Sequence, residues 1–245
     1  MLEHVQAHAG LANGLFFSGG TANCSRCVAS GSGAAGLAWE RGWQGTASHL
    51  LVLHGPEGVD GVDGANDSRG HDLEPRSRPV LANATLVHAN PYGARASKGA
   101  GLRLGAGTAL VARDLLVTGF RGGALDAGGR AALLFAEGES RVERALLYRN
   151  GHRPLRGGIA TGVDFEDRYP RLRNILWEAN PDRRPEARSP ALPKTLPAEG
   201  TAEGTPPGAG QYVGAFGEYE NWLEEWTFFA PESDYDTLAE DDGAN

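Results

Sequence analysis

The segment Leu81-Ala82-Asn83-Ala84-Thr85-Leu86 decides the fold, because its apolar first, fourth and sixth places recur along the chain. Five further copies of this pattern are Leu2–Ala7, Cys24–Ala29, Ala47–Val52, Val111–Leu116 and Val142–Leu147. The six copies start at positions 2, 24, 47, 81, 111 and 142. Spacings of roughly 20 to 35 residues are typical of a solenoid, in which each copy forms one coil stacked on the next.

A glycine that opens a second apolar stretch supports the same register. In three copies this glycine lies at the same distance after the start of the copy, at Gly14, Gly36 and Gly123. In a fourth copy, Gly101 opens the same element after an insertion. A leucine-rich repeat shares the first apolar spacing, but the Gly, Ala, Ser and Asn residues that follow are poor helix formers. The sequence therefore predicts an all-β fold, a single-stranded right-handed parallel β-helix with tight glycine corners.

The fourth place of each copy should point into the solenoid. This column is Val5, Cys27, Leu50, Ala84, Asp114 and Ala145. Asp114 interrupts the column, so either the register slips there or a buried carboxylate is satisfied by hydrogen bonds.

Composition divides the chain into four segments. Residues 1–179 are predicted to be β-helix coils with insertions at about 55–79 and 88–99, and 180–210 is a Pro-rich linker or draped loop. Residues 211–230 form an aromatic segment, and 231–245 form an acidic tail. We expect the aromatic segment, with Trp222, Trp226, Phe228 and Phe229, to fold back over the first sheet. There it would cover apolar residues that the pattern directs outward: Leu51, Leu53, Leu115, Val117, Leu146 and Tyr148.

Charge and motifs exclude several functions. The net charge is −8, with 23 Lys and Arg against 31 Asp and Glu, which disfavours a nucleic-acid partner. No apolar run is long enough to cross a bilayer, so no transmembrane span is expected, and the first residues do not form a signal peptide. Nucleotide-binding and serine-hydrolase motifs are absent from the sequence.

Several segments together resemble a family of bacterial exported right-handed parallel β-helix proteins, usually described as lipoproteins or hypothetical proteins. In chain order they are 17–23, 42–45, 64–67, 79–86, 118–123, 212–217, Asn221-Trp222 and Trp226-Thr227. The resemblance implies the fold and a location outside the cell or on the outer-membrane surface, but little about activity. Members usually begin with an export signal and a capping portion, whereas this sequence starts on a repeat strand, which suggests a fragment.

A polar stripe is predicted at the third place of each copy. Its members are His4, Arg26, His49, Asn83, Arg113 and Arg144, and alternation directs them outward. Such a stripe could bind a polysaccharide along the solenoid axis, or it could be an ordinary solvated surface. If the chain is an enzyme, the candidate catalytic residues are Arg113, Asp114 and Arg144, acting as a lyase or hydrolase on an acidic glycan.

Two further candidate sites remain open. Asp60, Asp63, Asn66 and Asp67 bring oxygen ligands together as Ca²⁺ prefers, although solvated turns also explain them. Calcium is the only cofactor that the sequence suggests. The pair Cys24 and Cys27 is predicted to be buried and reduced, because three strand residues span about 10 Å, too far for a disulfide without a bulge.

The sequence thus favours a non-catalytic cell-surface scaffold, adhesion or carbohydrate-binding module. The alternatives are a polysaccharide-active enzyme and a subunit that stacks end to end through its exposed strand edges.

Overall fold

The computed structural model of the chain describes residues 1–55, 58–88, 98–167, 212–216, 222–223 and 226–227. Within these ranges lie one short helix, α1 (Arg130–Ala136), and fourteen strands. In chain order the strands are β1 (Leu2–Glu3), β2 (Gln6–His8), β3 (Leu15–Ser18), β4 (Cys24–Ser30), β5 (Leu37–Glu40), β6 (Thr46–His54), β7 (Val62–Gly64), β8 (Val80–His88), β9 (Leu102–Leu104), β10 (Val111–Thr118), β11 (Leu125–Ala127), β12 (Arg141–Tyr148), β13 (Leu155–Arg156) and β14 (Val163–Glu166). No helix among the described residues is both long enough and apolar enough to cross a membrane.

The strands form two parallel sheets, which confirms the predicted parallel β-helix. The first sheet has the order β1-β4-β6-β8-β10-β12-β14, with β2 also paired to β4. The second sheet has the order β13-β11-β9-β7-β5-β3. Because the chain alternates between the sheets, each coil contributes one strand to each, and the apolar core lies between them.

A sharp bend interrupts each coil in the first sheet, at the third place of the repeat. The residues there adopt the left-handed conformation, with φ between 50 and 58°: His4, Arg26, His49, Asn83, Asp114 and Arg144. A left-handed residue interrupts the in-and-out alternation of a strand. The first and fourth places therefore both face the core, as the burial of Leu81 and Ala84 shows.

The register of the fifth copy corrects the predicted columns. Leu115 is paired with Ala84 and Ala145, and Ala112 with Leu81 and Val142, so the copy starts at 112 and not at 111. The register slip, one of the two alternatives for Asp114, is therefore confirmed, and the prediction that Arg113 fills a third place was wrong because Asp114 lies there. The register slips by one residue because the shifted alignment places Leu115 and Val117 in the core and leaves Arg113 exposed to solvent.

The glycine column marks a corner where two coils pack too closely for a side chain. A Cβ on Gly36 would lie 2.4 Å from Val52 Cγ1, and one on Gly101 would lie 2.2 Å from Val117 Cγ1. Gly61 has the same place before β7, so the predicted insertion at 55–79 contains a regular strand of the second sheet. The extra length lies in the connection between β7 and β8. Of the second predicted insertion, 89–97 falls outside the described residues.

The C-terminal aromatic segment packs on the first sheet, as predicted. Ala215, Phe216, Trp222 and Leu223 form a buried cluster with Val28 of β4 and Leu51 of β6. A second cluster joins Val213 to Leu116 and Leu146. Two residues predicted to face outward, Leu115 and Val117, belong instead to the core between the sheets, because the fifth copy starts at Ala112. Phe228, Phe229 and the segments 180–210 and 231–245 lie outside the described residues.

Candidate functional site

The third-place column, predicted as a ligand-binding stripe, is in contact with the chain's own C-terminal segment. Asn83 Nδ2 donates to the Tyr212 backbone oxygen at 2.8 Å, and His49 Nε2 lies 3.0 Å from the Tyr212 hydroxyl. The ring of Trp226 packs edge-on to His4, with 5.3 Å between the ring centroids. The third-place residues therefore contact the described part of 212–227 and hold it against the first sheet. Ligand binding along it stays a prediction.

Asp114 and Arg144, two of the candidate catalytic residues, are bound to each other. Arg144 Nε and Nη2 each donate to one carboxylate oxygen of Asp114 at 2.7 Å, and this hydrogen bonding raises the pKa of Arg144. The carboxylate is completely buried, whereas the guanidinium side chain is 46% exposed. Arg113, the third candidate, is exposed and aligned with Glu143, one place away from this pair. Catalysis by these residues stays a prediction, and the ion pair has an evident structural role.

Arg26, the remaining third-place residue, lies 3.3 Å from Glu3 in a partly exposed ion pair on the outside of the first coils. This pair joins one coil to the next and contributes little to stability in solvent.

The four residues of the predicted calcium site have separate hydrogen-bonding roles. Asp60 accepts from the Ala100 backbone N–H at 2.7 Å and pairs with Arg103 at 3.0 Å. Asn66 accepts from the Ser77 N–H at 2.7 Å, and Asp67 binds Arg69 through both carboxylate oxygens. Asp63 projects outward from the second sheet.

Within the described ranges, no three His, Cys, Asp or Glu side chains are close enough to hold a metal ion. Calcium binding at the four residues stays a prediction, and it would require their present hydrogen bonds to be exchanged for contacts with the ion.

The outer side of the second sheet carries a row of residues that the sequence analysis did not identify. We call it the open face; strand pairing aligns its six members, one per coil: Phe16, Ala38, Asp63, Arg103, Asp126 and Arg156. At about 4.8 Å per coil the row is about 24 Å long. The sequence signal that could have revealed it is the middle residue of each second strand, between two inward apolar residues.

The row begins with an apolar part. Phe16 is 54% exposed, an unusual environment for a large aromatic side chain, and it neighbours the small buried Ala38. The ring of Phe16 therefore projects from the sheet beside a neighbour with a short side chain.

Charged residues occupy the rest of the open face. Partial burial raises the pKa of Asp63, nearby Asp60 raises it further, and Arg103 opposes the change. Arg103 is held by Asp60, and Arg156 Nη1 donates to the Gly122 backbone oxygen at 3.0 Å. These bonds orient two guanidinium groups beside Asp63 and Asp126, so donors and acceptors alternate along the row.

The two cysteines are buried and free. The bend at Arg26 turns both side chains into the core, where the thiols interact directly. The prediction that both thiols are buried and reduced is confirmed.

A family model described as a pectate-lyase-like β-helix domain matches residues 1–144. No curated protein and no solved structure matches the chain significantly. The matched region is more than half of the sequence and extends from the first coil into β12. The chain therefore belongs to the pectate-lyase-like β-helix domain family.

Proposed function

We propose that the chain is a non-catalytic carbohydrate-binding β-solenoid module and that it binds glycan on the open face of the second sheet. The observation that carries this proposal is a difference between the two sheets. The first sheet is covered over much of its outer side by the C-terminal aromatic segment, whereas Phe16, Asp63, Arg103 and Arg156 on the second sheet are exposed.

The side chains of the open face suit a sugar chain. The ring of Phe16 offers a flat apolar surface on which the C–H face of a sugar can pack. The carboxylates of Asp63 and Asp126 accept hydrogen bonds from hydroxyls, and Arg103 and Arg156 donate them. Because Asp63, Arg103, Asp126 and Arg156 lie on four successive coils, a glycan lying along the solenoid axis would meet a hydrogen-bonding group at each of them.

The rigidity of the surface supports a binding role. Each member of the row sits on a hydrogen-bonded strand rather than on a long loop, so little conformational entropy is lost on binding. Membership of the β-helix family and resemblance to exported proteins support a location outside the cell, where polysaccharide is available.

Titration calorimetry against a panel of neutral, uronate and amino-sugar polysaccharides tests the proposal. We expect saturable binding of at least one polymer, and we expect Phe16→Ala to weaken it by about tenfold or more. Leu133→Ala, which removes an equally exposed apolar side chain from α1, serves as the matched control and should bind as the wild type does. Absence of binding across the panel, or equal loss in both variants, would overturn the proposal.

The same polymers separate binding from catalysis. A lyase acting on a uronate polymer forms an unsaturated product that absorbs in the ultraviolet, and a hydrolase forms new reducing ends. We expect neither signal. Turnover that Arg103→Ala abolishes would instead establish the open face as an active site and refute the non-catalytic assignment.

A further inference from the structure

The chain's two cysteines share one interior corner of the β-helix, and this placement has a chemical consequence independent of glycan binding. Cys24 and Cys27 occupy the first and fourth places of the second coil, and their side chains are 1% and 0% exposed. Other coils fill these two places with apolar pairs such as Ala47 with Leu50 and Leu81 with Ala84. A pair of thiols is therefore not needed for packing at this corner.

The bend between the cysteines brings them together. Arg26 has φ of 50°, and the left-handed turn there directs the residues on either side of it toward the same part of the core. The two sulfurs are near enough to share a hydrogen bond, and Cys27 Sγ also donates to the Ser25 backbone oxygen at 3.5 Å. An extended strand would not allow this approach.

We propose that Cys24 and Cys27 are a redox modification site at which a reversible disulfide forms across the Arg26 bend, with a small-molecule disulfide as the oxidant. The Cys27 thiolate attacks one sulfur of oxidised glutathione, forming a mixed disulfide and releasing one glutathione thiolate. Cys24 gives its proton to that thiolate and attacks the Cys27 sulfur, releasing a second glutathione. Two electrons pass from the cysteine pair to the glutathione disulfide, which is reduced to two thiols.

The environments of the two sulfurs assign these roles. The hydrogen bond from Cys24 lowers the pKa of Cys27 to about 7, against the opposing effect of burial. The same hydrogen bond, together with burial, raises the pKa of Cys24. Because Cys24 donates its hydrogen bond to Cys27, the thiolate is favoured at Cys27, which attacks, and Cys24 resolves the mixed disulfide.

The first coil packs directly against the pair. Leu2, the strand partner of Cys24, is 42% exposed, and Val5 is only partly buried where it packs against the core. The β1 and β2 strands are short, with two and three residues, so local opening of this coil requires few hydrogen bonds to break.

Native-state oxidation of the full chain tests the site. The folded protein is equilibrated with an excess of oxidised glutathione, quenched with acid, unfolded, alkylated with iodoacetamide and analysed by intact mass and peptide mapping. We expect a form that takes up no iodoacetamide and no glutathione and contains a Cys24–Cys27 link. After dithiothreitol, the same protein should take up two alkyl groups.

Single alanine variants complete the test, because alanine already occupies the same places in other coils, as Ala47 and Ala84 do. Cys24→Ala should stop at the mixed disulfide of Cys27, whereas Cys27→Ala should react with glutathione at least about tenfold more slowly. Two alkylated thiols in the oxidised folded protein, with the disulfide forming only in denaturant, would overturn the proposal. So would equal reactivity of the two variants.

Discussion

Arg144 binds Asp114 through two hydrogen bonds of 2.7 Å each, one to each oxygen of a carboxylate that has no solvent exposure. The pair joins neighbouring coils at the third place, where both residues adopt the left-handed conformation. Gly214 N–H donates to the Asp114 backbone oxygen at 2.8 Å, so the C-terminal segment is attached at the same point. A buried charge, a bend and a docking contact therefore coincide at one position of the first sheet.

Removing the arginine should destabilise the fold. Arg144→Ala leaves a buried carboxylate without its counter-charge, and we expect a loss of about 2–3 kcal/mol. This is less than a fully buried pair would lose, because the Arg144 side chain is half in solvent. Chemical denaturation measures the change. Asp114→Asn combined with Arg144→Ala should recover most of the loss, since Asn83 shows that asparagine fits this column. A double variant no more stable than Arg144→Ala would contradict this explanation.

Two buried histidines on neighbouring strands predict an acid-sensitive fold. Burial lowers the pKa of His54 to about 4, and burial also lowers that of its strand partner His88. His54 Nε2 lies 2.7 Å from the Asp60 backbone oxygen, and Phe120 packs against both rings. With its pKa lowered in the folded state, His54 takes up a proton more readily in the unfolded chain. The part of the unfolding free energy that depends on neutral His54 should therefore be fully present above pH of about 6.5 and should decline as the pH falls toward about 4.

The variant His54→Gln tests this pH dependence. Glutamine can still donate to the Asp60 oxygen but does not titrate, so the slope of unfolding free energy against pH between about 6.5 and 4 should become smaller. His152→Gln, at an exposed histidine, should leave the slope unchanged. An unaltered slope in His54→Gln would show that other groups cause the acid sensitivity.

The repeat could be found in the sequence because burial acts on every coil in the same way. Apolar residues recur at the first, fourth and sixth places since the core requires them there, and this spacing alone predicts stacked parallel strands. The fifth copy was misplaced by one residue because Val111 and Ala112 are both apolar and either could start it. Extending the comparison to Leu115 and Val117, which both face the core, would have corrected it.

The sequence predicted that the C-terminal segment covers the first sheet, but it did not predict the individual contacts that hold the segment there. Docking of Tyr212 on His49 and Asn83 joins parts of the chain that are distant in sequence, and no local pattern encodes such a contact. The closeness of Cys24 and Cys27 was missed for a related reason. It depends on the backbone conformation of Arg26, a residue type that rarely adopts positive φ.

The bend at the third place predicts which residues each coil tolerates there. Arg26→Val puts a β-branched residue into the left-handed conformation and should cost about 1–2 kcal/mol in thermal or chemical unfolding. Arg26→Asn removes the same exposed ion pair to Glu3 but suits positive φ, so it should retain or raise stability. Equal losses in both variants would assign the effect to the ion pair and not to the bend.

The C-terminal segment should stabilise the first sheet through Trp222. Its ring stacks on Phe216 with centroids 4.9 Å apart, its Nε1 donates to the Ala215 backbone oxygen at 2.8 Å, and its cluster covers Val28 and Leu51. Trp222→Ala removes a buried aromatic side chain, for which a cost of about 3–5 kcal/mol is usual. We therefore expect a marked fall in Tm and increased binding of a hydrophobic dye to the uncovered sheet. Trp226→Ala, at a partly buried tryptophan of the same segment, should produce a smaller fall. Wild-type Tm and dye binding in Trp222→Ala would mean that the segment lies on the sheet without stabilising it.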